Sequence, residues 1–482
     1  MSPQASNTRS ATVWVVTLTA IGSFMGALDT LVVSTALPTI RLDLGASIPQ
    51  LEWTVNAYNL AFAVMLVPAA ALGDRLGRRR LYAFGLVGFA AASAAAAVSP
   101  NVGWLIGARA VQGVAAAFMM SLGLALLSAA FPAERRGTAI GLFSAVTGIA
   151  VASGPLVGGA VVNGLDWTWI FWLNVPIGLV AAPLALARMR ESFGPNTALD
   201  VPGLGLVAAG AFGIVWALVR GNAAGWGSLE VIATLTAGAL LVAAFIAWER
   251  RAPSPMIPMS FFRSRAFSAG NLAIFTVFGS LFAEVYFFSQ LLQTGMGYDV
   301  LGAGLRLIPW TGTFLLVGPV AGALADRIGE RPLMVTGLLI QAAGAIWIAL
   351  IASPDLAYSQ LVIPMIVAGV GISMAIPSAQ NSVLGSVAQE AVGKAAGTNS
   401  VMRELGGVFG IAIAVAVFAG AGSYASPEAF TDGFSPAVGV AAALALVGAV
   451  AGSFLPGHRH EAELIGSGGA RPAEASASEG AY

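Results

Sequence analysis

Long uncharged runs of apolar residues follow one another along the whole chain and are interrupted by glycine, proline and charged residues. About 20 apolar residues in an α-helix cross a bilayer core roughly 30 Å thick. Runs of this length predict fourteen membrane-spanning helices, numbered here span one to span fourteen. They lie near residues 13–37, 50–72, 81–99, 102–128, 138–162, 168–187, 202–219, 230–248, 267–290, 302–324, 333–352, 360–379, 396–420 and 436–455.

Basic residues are distributed unevenly between the two sides of these spans. With the N-terminus placed inside the cell, the outer loops contain only Arg41 and Arg220, and most other basic residues fall in inner loops. Lys and Arg are retained on the cytoplasmic side of membrane proteins. We therefore predict a multi-pass protein of the cell (inner) membrane with both termini in the cytoplasm. The tail after Pro456 is rich in Gly, Ala, Ser and Glu and is predicted to be disordered.

An internal repeat divides the chain. Asp74-Arg75-Leu76-Gly77 follows span two, and Asp326-Arg327-Ile328-Gly329 follows span ten, 252 residues later. This offset pairs spans one to six with spans nine to fourteen and leaves spans seven and eight as an inserted hairpin, predicted to act as a scaffold or lipid contact. The predicted domains are an N-terminal half at 1–190, a hairpin at 191–255, a C-terminal half at 256–456 and a tail at 457–482.

Composition excludes several classes of protein. Hydrophobic residues make up 57% of the chain and charged residues 10%, whereas a soluble domain has about 25% charged residues. The net charge is zero, so no basic field is present to bind nucleic acid. Cysteine is absent, and the two histidines, His458 and His460, lie in the tail. We therefore predict no metal site, no cofactor and no thiol chemistry.

Five motifs, taken together and in order, resemble those of one transporter family. They are residues 73–80, Arg109-Ala110-Val111-Gln112-Gly113, Gly154-Pro155-Leu156-Val157-Gly158-Gly159, Leu28-Asp29-Thr30 with Ala36-Leu37-Pro38, and residues 169–178. The chain resembles the major facilitator superfamily, in its branch of fourteen-helix drug:proton antiporters. The resemblance implies an all-α fold of two pseudo-repeated six-helix halves plus the hairpin, a monomeric protein, and export of lipophilic small molecules, including cations, in exchange for protons.

The loop after span two is interpreted as a conformational latch, a contact that forms in one transport state and breaks in the other. Its glycines permit a tight turn, and Asp74 can cap the next helix or pair with a nearby arginine in one transport state only. The alternative is a topology anchor of positive charge, and Glu330 and Pro332 interrupt the basic cluster in the second copy. The predicted latch residues are Gly73, Asp74, Arg75, Gly77, Arg78, Asp326 and Arg327.

Span five carries a glycine-rich face with one proline. Gly154, Gly158 and Gly159 allow close helix packing, and Pro155 frees a backbone carbonyl and permits a bend. By resemblance this is the motif associated with antiporters. From composition alone, glycine-mediated packing of any helix bundle explains it equally well.

Three charged residues lie well inside predicted spans, where each costs about 2.5–3.5 kcal/mol on insertion scales. Asp29 is in span one, Arg109 in span four and Glu284 in span nine, the repeat partner of span one. Burial favours the protonated form of a carboxylate. We expect Asp29 and Glu284 to face one cavity, one exchanging a proton and the other attracting substrate, with Arg109 tuning them. A static charge pair is the alternative; Arg403-Glu404 and Arg306 are interpreted as structural.

Aromatic residues in the spans could line an apolar cavity for lipophilic ligands. The candidates are Trp53, Tyr58, Phe62, Tyr286, Phe287 and Trp310.

Secondary active efflux is the function predicted first, with a small-molecule substrate, protons and membrane lipids as partners. A membrane-embedded enzyme or lipid-handling protein is the second hypothesis, but the sequence shows no nucleophile with a base and no phosphate-binding Gly-rich loop. A third hypothesis keeps the fold and reverses the direction, making the protein a proton-coupled importer of a small metabolite.

Overall fold

A computed structural model describes residues 3–131, 154, 157–162, 164–193, 200–253, 255, 257–387 and 392–456. Every regular element in these ranges is helical. Most of predicted span five, including Pro155, lies outside the described residues, as does the predicted disordered tail at 457–482. The residues of span five at 157–162 that are described are helical.

The first half contains long helices whose ends have clear local causes. Ser47 and Gln50 form a capping box at the start of span two, and Asn101 accepts a hydrogen bond from the backbone of Trp104 at the start of span four. Span two bends by 49° at Pro68. The helices are Pro3–Leu44, Ile48–Leu76, Arg78–Ala97 and Val102–Ala130 for spans one to four, and Trp169–Trp172 with Asn174–Arg188 for span six.

The remaining spans follow the predicted order. Spans seven and eight are Val201–Ala224 and Leu229–Glu249, and span nine is Arg265–Gln290 continued by a π-helical turn at Leu291–Gly295. Span ten has two segments, Val300–Arg306 and Ile308–Ile328. Spans eleven to fourteen are Glu330–Ile351, Tyr358–Gly385, Val392–Ala421 and Pro427–Ser453. In the described residues, twelve helices are long and apolar enough to cross a membrane, or thirteen when bent span two is included.

Helix packing repeats between the two halves. Span two packs on span four, span three on spans four and six, and span one on spans four and six. Each of these pairs recurs eight spans later: ten with twelve, eleven with twelve and fourteen, nine with twelve and fourteen. The two-fold pseudo-repeat is therefore confirmed, whereas the residue limits of the domains stay predictions. Span seven packs against spans two and thirteen, so the hairpin lies beside the seam between the halves.

The hydrophobic clusters differ between the two ends of the bundle. At the predicted outer end, one cluster combines Val33 and Leu37 of the first half with Phe287 and Phe418 of the second. At the predicted inner end, two separate clusters remain within one half each. A small cluster of spans two, seven and thirteen joins the halves between these levels. The halves are thus packed together at the outer end, whereas the inner clusters of the described residues stay separate.

Candidate functional site

Asp29 is the centre of a buried polar network in the first half. It forms an ion pair with Arg109, and both side chains are at most 1% exposed. Its other carboxylate oxygen accepts hydrogen bonds from Gln112 Nε2 at 2.8 Å and Asn174 Nδ2 at 3.2 Å. Gln112 Nε2 also donates to Ser93 Oγ at 2.8 Å. The charge of Asp29 is therefore compensated by one cation and two amides from spans four and six.

Span four positions Arg109 through its own helical geometry. Arg109 and Gln112 are three residues apart and lie on one face, where Arg109 Nη1 donates to Gln112 Oε1 at 2.7 Å. Arg109 Nε donates to the carbonyl of Thr54 at 3.2 Å, and its guanidinium lies 4.3 Å from the Tyr58 ring centroid. Gly113 contacts the backbone of Tyr58, so the absence of a side chain there brings spans two and four close together.

Glu284 occupies a different environment in the second half. It is fully buried, and Ser280 Oγ donates to its Oε1 at 3.4 Å. Gln341 Nε2 donates to Ser280 Oγ at 2.6 Å. The amide of Gln341 and the indole N–H of Trp310 also face the carboxyl, the indole outside hydrogen-bond geometry. Among the described residues Glu284 has no ion-pair partner, and its Oε2 accepts no hydrogen bond.

The repeat explains this difference between the two carboxyls. Gly369 contacts the backbone of Trp310 as Gly113 contacts that of Tyr58. Four residues before each glycine stand Met365 in the second half and Arg109 in the first. Met365 is buried against apolar neighbours, among them Phe288 and Leu361. The second half therefore keeps the carboxyl and lacks the arginine that compensates it in the first half.

The two predicted coupling carboxyls are buried in separate networks. Asp29 contacts Arg109, Gln112 and Asn174, while Glu284 contacts Ser280. Within the described part of the chain they share no hydrogen-bonding partner.

The predicted cavity aromatics are distributed over three places. Tyr58 stacks on Phe62 at 6.1 Å in the inner cluster of the first half. Trp53 packs on Phe212 and Trp216 of the hairpin. Three more belong to the outer cluster that joins the halves, namely Tyr286, Phe287 and Trp310.

The predicted latch loop contacts an acidic residue that the motif analysis missed. Glu191, in the segment after span six, accepts a hydrogen bond from Arg79 N at 2.8 Å and lies 3.5 Å from Arg79 Nε. Its carboxyl packs against Gly77, whose φ of +109° favours glycine. Asp74 pairs with Arg78 at 2.7 Å. An acidic residue in the otherwise basic segment after span six was the available signal.

The two copies of the loop share their turn. Gly329 has a φ of +85°, as expected for the counterpart of Gly77, and Arg327 is exposed. The side chain of Asp326 lies outside the described residues.

Removal of the Glu191 carboxylate is expected to loosen the latch. Glu191→Gln weakens the contact with the backbone of Arg79 at the helix N-terminus and the charge pairing, a loss of about 1 kcal/mol. Hydrogen–deuterium exchange at residues 77–81 should become faster. Arg80→Gln is the matched control. The Arg80 side chain is 68% exposed, and its long 3.6 Å ion pair with Glu191 contributes little, so this substitution should leave exchange unchanged. Equal exchange in wild type and Glu191→Gln would contradict this role.

The glycines of span five face both halves. Gly154 is buried, and Gly158 packs against span one, where a methyl group at its position would lie 3.3 Å from Val32 Cα. A methyl group at Gly159 would lie 2.6 Å from the carbonyl of Val300 and 2.8 Å from Leu301 Cα at the start of span ten. Side chains here would push the outer ends of the two halves apart.

Span two carries a polar stripe that sequence reasoning overlooked. Glu52 is 1% exposed, and Asn56 Nδ2 donates to its Oε1 at 3.2 Å. Asn59 is fully buried, and its amide makes no hydrogen bond to the described residues. Glu52 lies near the predicted end of its span, where hydropathy does not distinguish a buried carboxylate from a loop residue.

No group of three His, Asp or Glu side chains gathers in the described residues as a metal site requires.

Comparison with known proteins agrees with this architecture. The sequence profile of the Major Facilitator Superfamily matches residues 19–411 and 310–477. The chain belongs to the major facilitator superfamily. It is 33% identical over 455 residues to the tetracenomycin C resistance and export protein of Streptomyces glaucescens, covering 92% of this chain and 84% of that protein.

A second relative aligns over almost the full length. The puromycin resistance protein of Streptomyces alboniger is 33% identical over 479 residues, covering 95% of this chain and 94% of that protein. Among solved structures, the inward-open xylose transporter of E. coli superposes with a TM-score of 0.65 at 14% identity, covering 94% of this chain and 99% of that one. At this identity the similarity concerns the fold of the superfamily alone.

Proposed function

We propose that this protein exports lipophilic small molecules, such as drugs or antibiotics, across the cell (inner) membrane in exchange for protons. Similarity to the tetracenomycin C export protein and the puromycin resistance protein supports export of toxic compounds. Both termini are proposed to lie in the cytoplasm, and the protein is proposed to act as a monomer surrounded by lipid.

The observation that carries the coupling mechanism is the contrast between two of the buried carboxyls, Asp29 and Glu284, which lie in the paired spans one and nine. Glu284 lies within the helix Arg265–Gly295 and has no basic partner among the described residues. Without a counter-charge, burial stabilises the protonated form of a carboxyl, and access to water reverses this. Glu284 is therefore proposed as the group that binds and releases the transported proton.

Asp29 is proposed to have the complementary task. Arg109 forms an ion pair with its carboxylate, and the amides of Gln112 and Asn174 donate hydrogen bonds to it. The network joins spans one, four and six, so it keeps the first half rigid. Asp29 and Arg109 thus position the first half during the transport cycle, and Glu284 carries the proton.

The separate inner clusters support an alternating-access cycle. Substrate is proposed to enter between the separate inner clusters, while the joined outer cluster closes the other side. Export then requires the inner ends to close and the outer ends to separate. The latch and the glycines of span five lie at the inner and outer ends respectively, where these contacts change.

Purified protein in liposomes tests this proposal. A lipophilic fluorescent dye should accumulate against its gradient when a pH difference is imposed, and collapse of that difference with an ionophore should stop transport. Reversing the pH difference should reverse dye movement. Dye transport unaffected by the pH difference would refute proton exchange, and co-movement of dye and protons in one direction would favour an importer.

A further inference from the structure

The polar stripe of span two occupies a side of the helix that its main neighbours leave free. Glu52, Asn56 and Asn59 are four and three residues apart, so at 100° per residue they share one side. Trp53 packs on the hairpin, and Tyr58 packs against Arg109 of span four. Both rings project about 100° or more away from Glu52. The stripe therefore faces neither the hairpin nor span four.

Span nine of the other half lies opposite Glu52. The charge of Glu52 acts on the hydroxyl of Tyr286, which is fully buried. This hydroxyl lies close to Gln290 and Tyr424, outside hydrogen-bond geometry. Tyr424 donates a hydrogen bond to Gln290 Oε1, and the guanidinium carbon of Arg41 lies 4.4 Å from the Tyr424 ring centroid. Polar side chains thus extend from Glu52 across the boundary between the halves to the outer end of span one.

The carboxyl of Glu52 is buried without a counter-charge. It accepts a hydrogen bond from Asn56 and forms no ion pair with the described residues. Ionisation of a carboxyl in such a place is costly. The packed outer end therefore suits Glu52 while it carries a proton. The charged residues of the neighbouring spans have other partners or lie at the inner end: Asp29 with Arg109, Arg220 with Glu230, Arg403 with Glu404, Arg41 on Tyr424, and Arg78, Arg79 and Arg80 at the start of span three.

Two polar contacts join the halves at this same end of the bundle. Gln293 Nε2 of the second half donates to the carbonyl of Thr35 of the first half at 2.8 Å and to Ser289 Oγ at 3.1 Å. The stacking of Arg41 on Tyr424 is the other contact. Both must break when the outer ends separate, and the separation admits water to the boundary. Because water stabilises an ionised carboxyl, opening of the outer end and loss of the proton from Glu52 favour each other.

We propose that Glu52 binds a proton from the outer side and that this protonation lets the outer ends of the two halves close. The inference rests on the proposed exchange of protons for substrate and adds a second proton-binding group to Glu284. In the outward-facing state Glu52 is hydrated and ionised. Uptake of one proton from external water neutralises it, and the neutral carboxyl is then buried opposite Tyr286. External protons thereby drive the return to the closed outer end after substrate has left.

A single introduced thiol reports the opening, because the chain contains no cysteine. Ser289→Cys places it at the boundary, since Ser289 is fully buried and shares Gln293 with the carbonyl of Thr35. In intact cells, a membrane-impermeant methanethiosulfonate added outside should modify this thiol only while the outer ends are apart. Leu42→Cys is the matched reference at an 83% exposed position, and its labelling measures the effect of pH on thiol reactivity alone.

Labelling of Ser289→Cys relative to Leu42→Cys should rise with external pH. The open state binds one proton fewer at Glu52, so the rise should reach up to about ten-fold per pH unit. Adding Glu52→Gln or Glu52→Met, two neutral replacements of different shape, should make labelling slow and independent of pH. Glu52→Asp keeps an ionisable carboxyl and should keep the dependence. Labelling of Leu42→Cys in each background shows that the variant is folded in the membrane.

Glu284→Gln separates this role from that of Glu284. It should retain the pH dependence of Ser289→Cys labelling, because Glu52 is unchanged. The proposal is overturned if the relative labelling does not change with pH, if the neutral Glu52 variants keep the dependence, or if Glu284→Gln removes it. The assay needs no substrate, so a failure of dye transport in liposomes counts against the proposed export and not against the role of Glu52.

Discussion

Glu284→Gln is expected to abolish uphill, proton-driven export while leaving exchange of substrate for substrate intact. The amide resembles the protonated carboxyl in shape and cannot release a proton. Because Glu284 has no compensating cation in the described residues, the substitution leaves no unpaired charge behind. Dye accumulation in liposomes under a pH difference should therefore fall to the level of empty liposomes. Exchange of labelled for unlabelled substrate at equal pH should continue.

Two controls make this result specific to the ionisable group. Glu284→Asp keeps a carboxyl on a shorter side chain and should retain part of the uphill transport. Met365→Leu changes the neighbouring apolar site without charge and should transport normally, since volume-conserving apolar substitutions are well tolerated. Uphill accumulation by Glu284→Gln at the wild-type rate would remove Glu284 from the mechanism.

Arg109→Gln is expected to have the largest effect on stability. It leaves the charge of Asp29 buried without its cation, and breaking such a pair costs about 3–5 kcal/mol. Gln112 and Asn174 still donate to Asp29, but neutral donors do not replace a full charge. The melting temperature in detergent should fall strongly, and little folded protein should reach the membrane.

A compensating substitution tests the physical reason. In Arg109→Gln with Asp29→Asn, no charge remains in the network, and most of the lost stability should return. The double-mutant cycle should therefore show a large coupling between the two positions. If the double variant is as unstable as the sum of the single variants, then shape and hydrogen bonding at Arg109 matter more than its charge.

Hydropathy predicted twelve of the spans, or thirteen with bent span two, that the described residues show, because the bilayer imposes one length and one composition on each of them; the total of fourteen stays a prediction. It could not predict which buried charges meet. Asp29 and Arg109 are 80 residues apart, and their pairing depends on the rotation of two helices about their axes. Apolar residues on all sides of a helix give no period from which that rotation can be derived. Gly113 and Gly369 pack in the same way in the two halves, and this equivalence showed that Met365 stands in the second half where Arg109 stands in the first.

The positions of the helix ends were the other difference between the sequence prediction and the structure. Arg403 was interpreted as lying near the end of span thirteen, which was predicted to start at residue 396 and whose helix starts at Val392. Glu52 was passed over for the same reason at the start of span two, although it is 1% exposed. Charges near a predicted span end are thus the least certain to be placed by sequence, because a shift of one turn moves a side chain between interface and core.

Proton release on substrate binding tests the central claim most directly. In weakly buffered detergent solution with a pH indicator, addition of substrate to the wild-type protein should release protons, since substrate and proton compete for Glu284. Glu284→Gln should bind substrate without releasing protons, and Asp29→Asn, if folded, should still release them. Undiminished release by Glu284→Gln, or loss of release in folded Asp29→Asn alone, would contradict the assignment of proton transport to Glu284.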